Sequence, residues 1–215
     1  MSRQITFPDL VDILARRGAA SRHITAIAGP PGAGKSTLAE CLVASLNERD
    51  PDSAAVLPMD GFHFDDTILD ERGRRTRKGA PDTFDVGGLS AMLARLRANV
   101  ETEIAVPVFD RETEIARAGA RLIARSVRNI VVEGNYLLLG TAPWDVLHPF
   151  YDTTVMIEVT EAELRRRLEI RWQGLPAATR VVKLDGNDLP NGRLVKTHSV
   201  TAEFFVRSTA ENALA

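Results

Sequence analysis

The residues with the clearest chemical meaning form one short run near the start of the chain. Gly29-Pro30-Pro31-Gly32-Ala33-Gly34-Lys35-Ser36, followed by Thr37, fits the phosphate-loop pattern G-x-x-x-x-G-K-[ST] residue for residue. In such a loop the glycines let successive backbone N–H groups point inward, toward phosphate oxygens. Lys35 would reach the β- and γ-phosphates, and the Ser36 hydroxyl would be a ligand for Mg²⁺. The run therefore predicts binding of a nucleoside triphosphate with its metal ion.

The flanking residues predict the elements that hold this run in place. Residues 24–28 are an apolar stretch typical of a buried strand, and apolar residues recur with helical spacing from Leu38 to Leu46. The start of a helix offers unpaired N–H donors and a partial positive charge, and both favour phosphate. With these flanks, a glycine-rich turn without a ligand is the weaker interpretation.

Length and composition limit the possible classes of protein. The 215 residues are enough for one substantial core and few for two, and 44% of them are hydrophobic. The formal net charge of -2 gives no electrostatic reason to expect nucleic acid or an anionic membrane as a partner. The one cysteine fits a reducing compartment, and no apolar run approaches the ~20 residues of a membrane span. We therefore expect a single cytoplasmic domain over residues 1–215.

The rest of the chain alternates between strand-like and helix-like segments. This alternation predicts an α/β fold with a mostly parallel sheet and helices on both faces. Two long polar segments interrupt it, near residues 61–85 and 160–192, and we expect both to be mobile excursions. Ligands of such sheets bind outside the carboxyl ends of the strands. Three further predicted strands end in acidic residues there, namely Asp60, Asp110 and Glu133.

These acidic residues have two interpretations. An isolated acid after a strand can simply cap the next helix. Beside a phosphate loop, acids also suit phosphoryl transfer, which needs a metal ion, a carboxylate for the attacking hydroxyl and cations on the transferring group.

The motifs and their order resemble the uridine kinase, phosphoribulokinase and pantothenate kinase group of phosphate-loop kinases. The matching elements are Met59-Asp60-Gly61-Phe62-His63, Lys78-Gly79-Ala80-Pro81-Asp82-Thr83-Phe84-Asp85, Pro107-Val108-Phe109-Asp110-Arg111, Val131-Val132-Glu133-Gly134 and Arg165-Arg166-Arg167-Leu168-Glu169-Ile170-Arg171. Residues 133–138 and Asn187-Asp188-Leu189-Pro190-Asn191 are similar to a branch called fructose-transport-system kinases or nucleoside-kinase-like proteins. The resemblance covers residues 24–206.

The resemblance implies the three-layer sandwich of the phosphate-loop NTPases. It places an acceptor-side excursion at about 61–85 and a helical lid at about 160–192. It also implies ATP as the phosphoryl donor and Mg²⁺ as the metal ion, with Ser36 and Glu133 as the metal ligands.

The resemblance also implies roles for four catalytic residues. Lys35 would bridge the β- and γ-phosphates. Asp60 would orient the acceptor hydroxyl or take its proton, and its place in the metal shell stays open. Arg167 and Arg171 lie four residues apart, hence on one face of a helix, and would close onto the ATP phosphates.

The acceptor pocket is predicted as a set of residues that adjoin the strand ends. This substrate-binding set is Asp60, Phe62, His63, Lys78, Phe84, Phe109, Arg111, Asn135 and Tyr136. Arg111 together with Lys78 would suit an acceptor that bears a phosphate or a carboxylate, unless Arg111 pairs with Asp110. Related enzymes often carry tyrosine or histidine where this chain has Phe109-Asp110-Arg111, which puts uridine and pantothenate in doubt as substrates.

The expected activity is ATP-dependent transfer of a γ-phosphate to a hydroxyl of a small metabolite such as a sugar, a nucleoside or a pantothenate-like acid. A GTPase would need a guanine-selecting N-K-x-D sequence, and the nearest string, Val182-Lys183-Leu184-Asp185, lacks the asparagine. A transporter ATPase is disfavoured because no L-S-G-G-Q sequence occurs. A non-catalytic nucleotide-binding regulator of a sugar transport system stays open as the alternative. A homodimer through an exposed edge strand stays open too.

Overall fold

The computed structural model of this chain describes residues 2–208. Its strands are β1 (Arg3–Gln4), β2 (His23–Ala28), β3 (Ala54–Pro58), β4 (Glu103–Asp110), β5 (Ile115–Ala124), β6 (Asn129–Gly134), β7 (Thr153–Glu158) and β8 (Phe204–Arg207). Its α-helices are α1 (Phe7–Arg17), α2 (Lys35–Arg49), α3 (Asp66–Glu71), α4 (Val86–Ala98), α5 (Glu161–Arg171), α6 (Ala177–Lys183) and α7 (Leu189–His198). No helix in this part of the chain has both the length and the apolar character needed to cross a membrane.

Six strands form one sheet in the order β1-β8-β7-β2-β6-β3, and each neighbouring pair is parallel. All six residues of β2 are buried, as expected for a strand covered on both faces. Because side chains alternate along a strand, Ile24 and Ala26 pack with α4 on one face of the sheet, while Ile27 packs with α1 and α2 on the other. The predicted three-layer α/β sandwich is confirmed.

Strands β4 and β5 lie outside this sheet. They pair with each other in an antiparallel hairpin with an irregularity next to Pro107. The prediction that Asp110 and Arg111 follow a strand of the main sheet is therefore wrong. Asp110 instead shapes the turn of the hairpin, because its Oδ1 accepts hydrogen bonds from the N–H groups of Glu112 and Thr113 at 3.0 and 3.2 Å.

The segment predicted as a lid is helical along most of its length. It contains α5, α6, a π-helical turn (Leu184–Asp188) and the start of α7. The sequence predicts the first of these helices and misses the others, because glycine, proline and asparagine punctuate residues 174–192. Pro190 lies in the first turn of α7, where a proline costs no helical hydrogen bond. Leu168, Leu184 and Leu189 form a small core of their own with Trp172.

The excursion at 61–85 is built from short helical pieces. Helix α3 is capped by Asp65, which accepts a hydrogen bond from the N–H of Thr67 at 2.9 Å. The lid lies against the end of the excursion, because the Asn187 side-chain amide donates to the carbonyl of Lys78 at 2.9 Å. The two segments that interrupt the α/β alternation therefore meet each other.

Candidate active site

A cleft of about 690 Å³ lies over the carboxyl ends of β2, β3 and β6. Most of the predicted site residues line it: Pro31, Gly32, Gly34, Lys35, Ser36, Thr37, Asp60, His63, Lys78, Phe84, Phe109, Arg111, Glu133, Asn135, Arg167 and Arg171. The tertiary structure thus brings together residues from the phosphate loop, the excursion, the hairpin and the lid.

The phosphate loop joins β2 to α2 and adopts a conformation that requires glycine. Gly32 and Gly34 have φ values of 78° and 93°, in the left-handed region that other residues rarely occupy. No side chain caps the start of α2, so its first N–H groups are available to an anion. Gly29, Pro30 and Ala33 belong to the predicted nucleotide-binding set but do not line the cleft; they form the inner side of the loop.

The ammonium of Lys35 lies at the base of the cleft. The residue is 8% exposed, and its Nζ donates to the carbonyl of Pro30 at 2.9 Å. Burial lowers the pKa of Lys35 to about 8, because desolvation outweighs the attraction of Glu133 and Asp60. A phosphate at this position would supply the negative charge that the buried ammonium lacks.

Glu133 is the penultimate residue of β6 and lies beside the loop, because β6 pairs with β2 and Ile27 is opposite Glu133. It is 6% exposed, and the nearby Ser36 side chain partly offsets the rise in its pKa. Burial, and next the charge of Asp60, raise the pKa of Glu133 above its usual value. A hydroxyl and a carboxylate are the hard oxygen ligands that Mg²⁺ prefers, so this pair fits the metal ion of a nucleotide.

The remaining ligands of such an ion would come from phosphate oxygens and water. Within residues 2–208, no three His, Cys, Asp or Glu side chains come together as a metal-binding group. The Ser36 and Glu133 pair suits Mg²⁺, which usually retains several waters and binds through one or two protein groups plus substrate phosphates.

Asp60 follows β3, the strand that neighbours the one that carries Glu133. It belongs to a 3-10 turn (Met59–Phe62) that follows β3, and β3 pairs with β6 through Pro58 and Glu133. Its side chain is 34% exposed, and its nearest cation is Arg111, 3.9 Å away. Lys35, Glu133 and Asp60 therefore come from three neighbouring strand ends and face one cleft.

An aromatic stack lines the part of the cleft next to Asp60. The His63 ring lies between Phe84 and Phe109, with ring centroids 4.0 and 4.7 Å away. His63 Nδ1 is 2.8 Å from the carbonyl oxygen of Asp60, and because a carbonyl can only accept, Nδ1 carries the proton. Burial lowers the pKa of His63, so the neutral ring with a free acceptor at Nε2 is favoured.

Two predicted acceptor residues are corrected by the structure. Phe62 and Tyr136 do not line the cleft; their side chains pack in the main core at 8% and 0% exposure. The Tyr136 hydroxyl donates to the carbonyl of Gly79 at 2.6 Å, and it therefore holds the end of the excursion in place. Adjacency to a strand end does not determine which way a side chain points.

Two predicted anion-binding cations are already paired. Lys78 is 2.5 Å from Asp66 and donates to the carbonyl of Glu114 at 2.6 Å. Arg111 faces Asp60, while Asp110 has Arg117 at 3.5 Å as its partner. Neither Lys78 nor Arg111 is therefore an uncompensated charge that awaits an acidic acceptor.

The two predicted lid arginines differ in their contacts. Arg167 Nε donates to Glu163 at 2.7 Å, and its guanidinium also contacts the Ser208 hydroxyl at 3.0 Å. The Arg171 guanidinium instead lies over the Trp172 ring, 4.8 Å from its centroid. Desolvation lowers the pKa of Arg171, and Arg111 adds to this effect. Both arginines line the cleft, but only Arg167 has a carboxylate partner among residues 2–208.

Several residues of the cleft are missed by the sequence predictions: Glu40, Arg75, Thr76, Glu114, Trp172, Thr179, Lys183, Asn187 and Asp188. Most come from the excursion, the hairpin turn and the lid. The N-D-L-P-N motif could have pointed to Asn187 and Asp188 as site residues, but the motif alone assigns no role to either of them.

The chain is similar to several known proteins, although none of the protein-family models matches it. It is 35% identical over 194 residues to the uncharacterized protein YggC of Escherichia coli, which covers 88% of this chain and 79% of that protein. It is 31% identical over 196 residues to a "putative uridine kinase" of Schizosaccharomyces pombe, with coverage of 86% and 83%. A pantothenate kinase of Myxococcus xanthus is 34% identical over 152 residues, which are 67% of this chain and 47% of that enzyme.

A solved structure extends this similarity to the whole architecture. A "putative fructose transport system kinase" from Silicibacter sp. TM1040 superposes with a TM-score of 0.85 and 36% sequence identity. The match covers 94% of this chain and 98% of the other.

Proposed function

Because this chain belongs to the uridine kinase and pantothenate kinase group of phosphate-loop kinases, we propose that it transfers the γ-phosphate of ATP to a hydroxyl of a small metabolite. The observation that carries this proposal is the convergence of Lys35, Glu133 and Asp60 on one cleft from three neighbouring strand ends. The first two are suited to a metal-bound triphosphate, and the third is suited to the hydroxyl that attacks it.

Donor binding in this proposal uses the loop and the two groups beside it. The N–H groups at the start of α2 hold phosphate oxygens, and Lys35 exchanges the Pro30 carbonyl for the β- and γ-phosphates. Ser36 and Glu133 would hold Mg²⁺, which would neutralise part of the phosphate charge. The lid arginines Arg167 and Arg171 add positive charge near the transferring group.

Transfer then requires one in-line displacement. The acceptor oxygen forms a bond to the γ-phosphorus while the bond to the oxygen bridging to ADP breaks. The hydroxyl proton passes to the Asp60 carboxylate and from there to solvent. The transition state of such transfers is loose, so the orientation that Asp60 gives the hydroxyl matters more than its basicity.

A phosphorylation assay with a panel of metabolites tests this function. The full chain is incubated with ATP, Mg²⁺ and one hydroxyl-bearing compound at a time, and both ADP formation and the mass gain of one phosphoryl group on the acceptor are measured. A reaction without acceptor corrects for ATP hydrolysis. We expect acceptor-dependent ADP formation that matches product formation for at least one compound.

The same assay can also contradict the proposed kinase activity. ATP binding measured by calorimetry, together with no transfer to any compound, would contradict the proposal and favour a non-catalytic nucleotide-binding protein.

A further inference from the structure

The N-D-L-P-N motif has no role in the reaction described so far, although its first two residues lie in the cleft. Asn187 and Asp188 belong to the π-helical turn, in which the N–H of Leu189 bonds to the carbonyl of Leu184. Single π-helical turns within helices are rare and frequently occur at functional sites, because the extra residue redirects side chains. The side chains of Asn187 and Asp188 differ in what they contact.

The hydrogen bonds of Asn187 are made within the protein. Its Nδ2 donates to the carbonyl of Lys78 at 2.9 Å, and its Oδ1 accepts from Asn191 at 3.1 Å. The residue is 7% exposed. Asn187 thus joins the lid to the excursion and fixes the π-helical turn over the acceptor side of the cleft.

Asp188 has acceptor capacity that the protein leaves unused. Its Oδ2 accepts from the Trp172 indole N–H at 2.8 Å, while its Oδ1 has no hydrogen-bond partner among residues 2–208. The side chain lines the cleft. A carboxylate has about four acceptor positions, so hydroxyl groups of a bound molecule can reach Oδ1 without displacing Trp172.

Three cations around this position are neutralised by carboxylates, while Arg171 and Lys35, whose charges also act on Asp188, serve the ATP phosphates in the proposed reaction. Arg75 is 2.6 Å from Asp66 and 3.6 Å from Glu114, Lys78 is 2.5 Å from Asp66, and Lys183 is 3.6 Å from Glu114. An acidic acceptor would have to compete with these carboxylates, and at the mostly buried Lys78 ammonium it would have to displace Asp66.

The remaining charges on the acceptor side also disfavour an anion. Arg111 is 61% exposed and 3.9 Å from Asp60, so water screens its charge. Asp60 and Asp188 both face the cleft, and two carboxylates repel a third. The two carboxylates therefore favour a neutral molecule over an anion on this side of the cleft.

On the basis of the proposed function, we propose that Asp188 binds hydroxyl groups of the acceptor and that the acceptor is an uncharged polyhydroxylated molecule. Oδ1 of Asp188 accepts from one or two hydroxyls while Asp60 orients the hydroxyl that reacts. The His63 stack supplies an apolar surface for the carbon skeleton.

Matched pairs of acceptors test the charge of the substrate. The pairs are glycerol and D-glycerate, panthenol and pantothenate, and fructose and fructose 6-phosphate, each tested with ATP and Mg²⁺. We expect any transfer to be at least about tenfold more efficient in kcat/KM for the neutral member, which corresponds to 1.4 kcal/mol. Preference for the charged members would overturn the assignment of the substrate class.

Three variants then test the role of Asp188 with the best neutral acceptor. Asp188→Asn should raise the KM for the acceptor about 10- to 100-fold, because hydrogen bonds to a charged group are lost. The KM for ATP should change less than about threefold. Asp185→Asn is the matched control, since Asp185 lies in the same turn but pairs with Arg165 outside the cleft.

Trp172→Phe tests whether Asp188 binds the acceptor itself or only positions other groups. This variant keeps the Asp188 carboxylate and removes the indole N–H that donates to it. If Asp188 binds the acceptor directly, Trp172→Phe changes the acceptor KM much less than Asp188→Asn does. Equal effects of the two variants would overturn the inference, as would an unchanged acceptor KM in Asp188→Asn. No transfer to any compound would instead overturn the proposed function and this inference with it.

Discussion

Lys35 donates its ammonium hydrogen bond to the carbonyl of Pro30, five residues earlier in the same loop, at 2.9 Å. The cation that the proposed reaction assigns to the phosphates therefore also hydrogen-bonds its own loop. Burial already lowers the pKa of this ammonium to about 8, so it carries a desolvation cost that an anion would relieve.

Replacement of this residue should separate activity from stability. We expect Lys35→Ala to lower kcat about 10²-fold or more, because a preorganised charge at the transferring group is lost. The melting temperature should change little, since burial already disfavours this charge and its hydrogen bond is to a carbonyl of its own loop. Thermal denaturation and the phosphorylation assay measure both quantities. Undiminished transfer would contradict the assignment of the loop.

Asp60→Asn tests which substrate this carboxylate serves. If Asp60 orients the acceptor hydroxyl, kcat should fall at least about 10²-fold while ATP affinity, measured by calorimetry with Mg²⁺, changes little. A matching loss of ATP affinity would assign Asp60 to the metal site instead. Asp70→Asn is the control, because Asp70 is exposed on α3 and does not line the cleft.

The two lid arginines should respond differently to truncation. Arg171→Ala should slow transfer at least about tenfold with little change in melting temperature, since Arg171 has no carboxylate partner within residues 2–208. Arg167→Ala should lower the melting temperature as well, because it also removes the bonds to Glu163 and Ser208. A stability loss in Arg171→Ala as large as that in Arg167→Ala would mean that Arg171 is structural.

The stability of the lid helix should depend on pH through Glu163. Hydrogen bonds from Arg166 and Arg167 lower the pKa of Glu163 to about 2, from an ordinary value of 4.5. Because folding lowers this pKa, the stabilisation is complete above about pH 4.5 and is lost as the pH falls toward 2. Glu163→Gln should therefore have a lower melting temperature than the wild type near neutral pH, and the difference should shrink as the solution is acidified.

The control for this titration is on the same helix. Glu169 is 57% exposed and 3.9 Å from Arg165, so Glu169→Gln should leave the melting temperature nearly unchanged at each pH. A difference between Glu163→Gln and the wild type that stays constant with pH would contradict the role given to Glu163.

The sequence alone predicts the parallel sheet, the phosphate loop and the first lid helix. These features depend on residues close together in the chain, and their apolar spacing and glycine positions are visible without the fold. Strand β5 escapes prediction because its alanine, glycine and arginine residues are mostly exposed and lack the apolar alternation of a half-buried strand. Helices α6 and α7 escape it because tertiary packing around Trp172 outweighs weak local propensity.

The acceptor side is decided by tertiary structure. Lys78 is paired with a carboxylate 12 residues away and contacts a carbonyl 36 residues away, and its own carbonyl meets Asn187 across 109 residues. The sequence could name Lys78 as a candidate, but it could not show that its charge is already neutralised. The ATP-binding side of the cleft depends on the local backbone conformation of one continuous segment, residues 29–36. The acceptor-binding side depends on contacts between residues far apart in the chain, and these contacts exist only once the chain has folded.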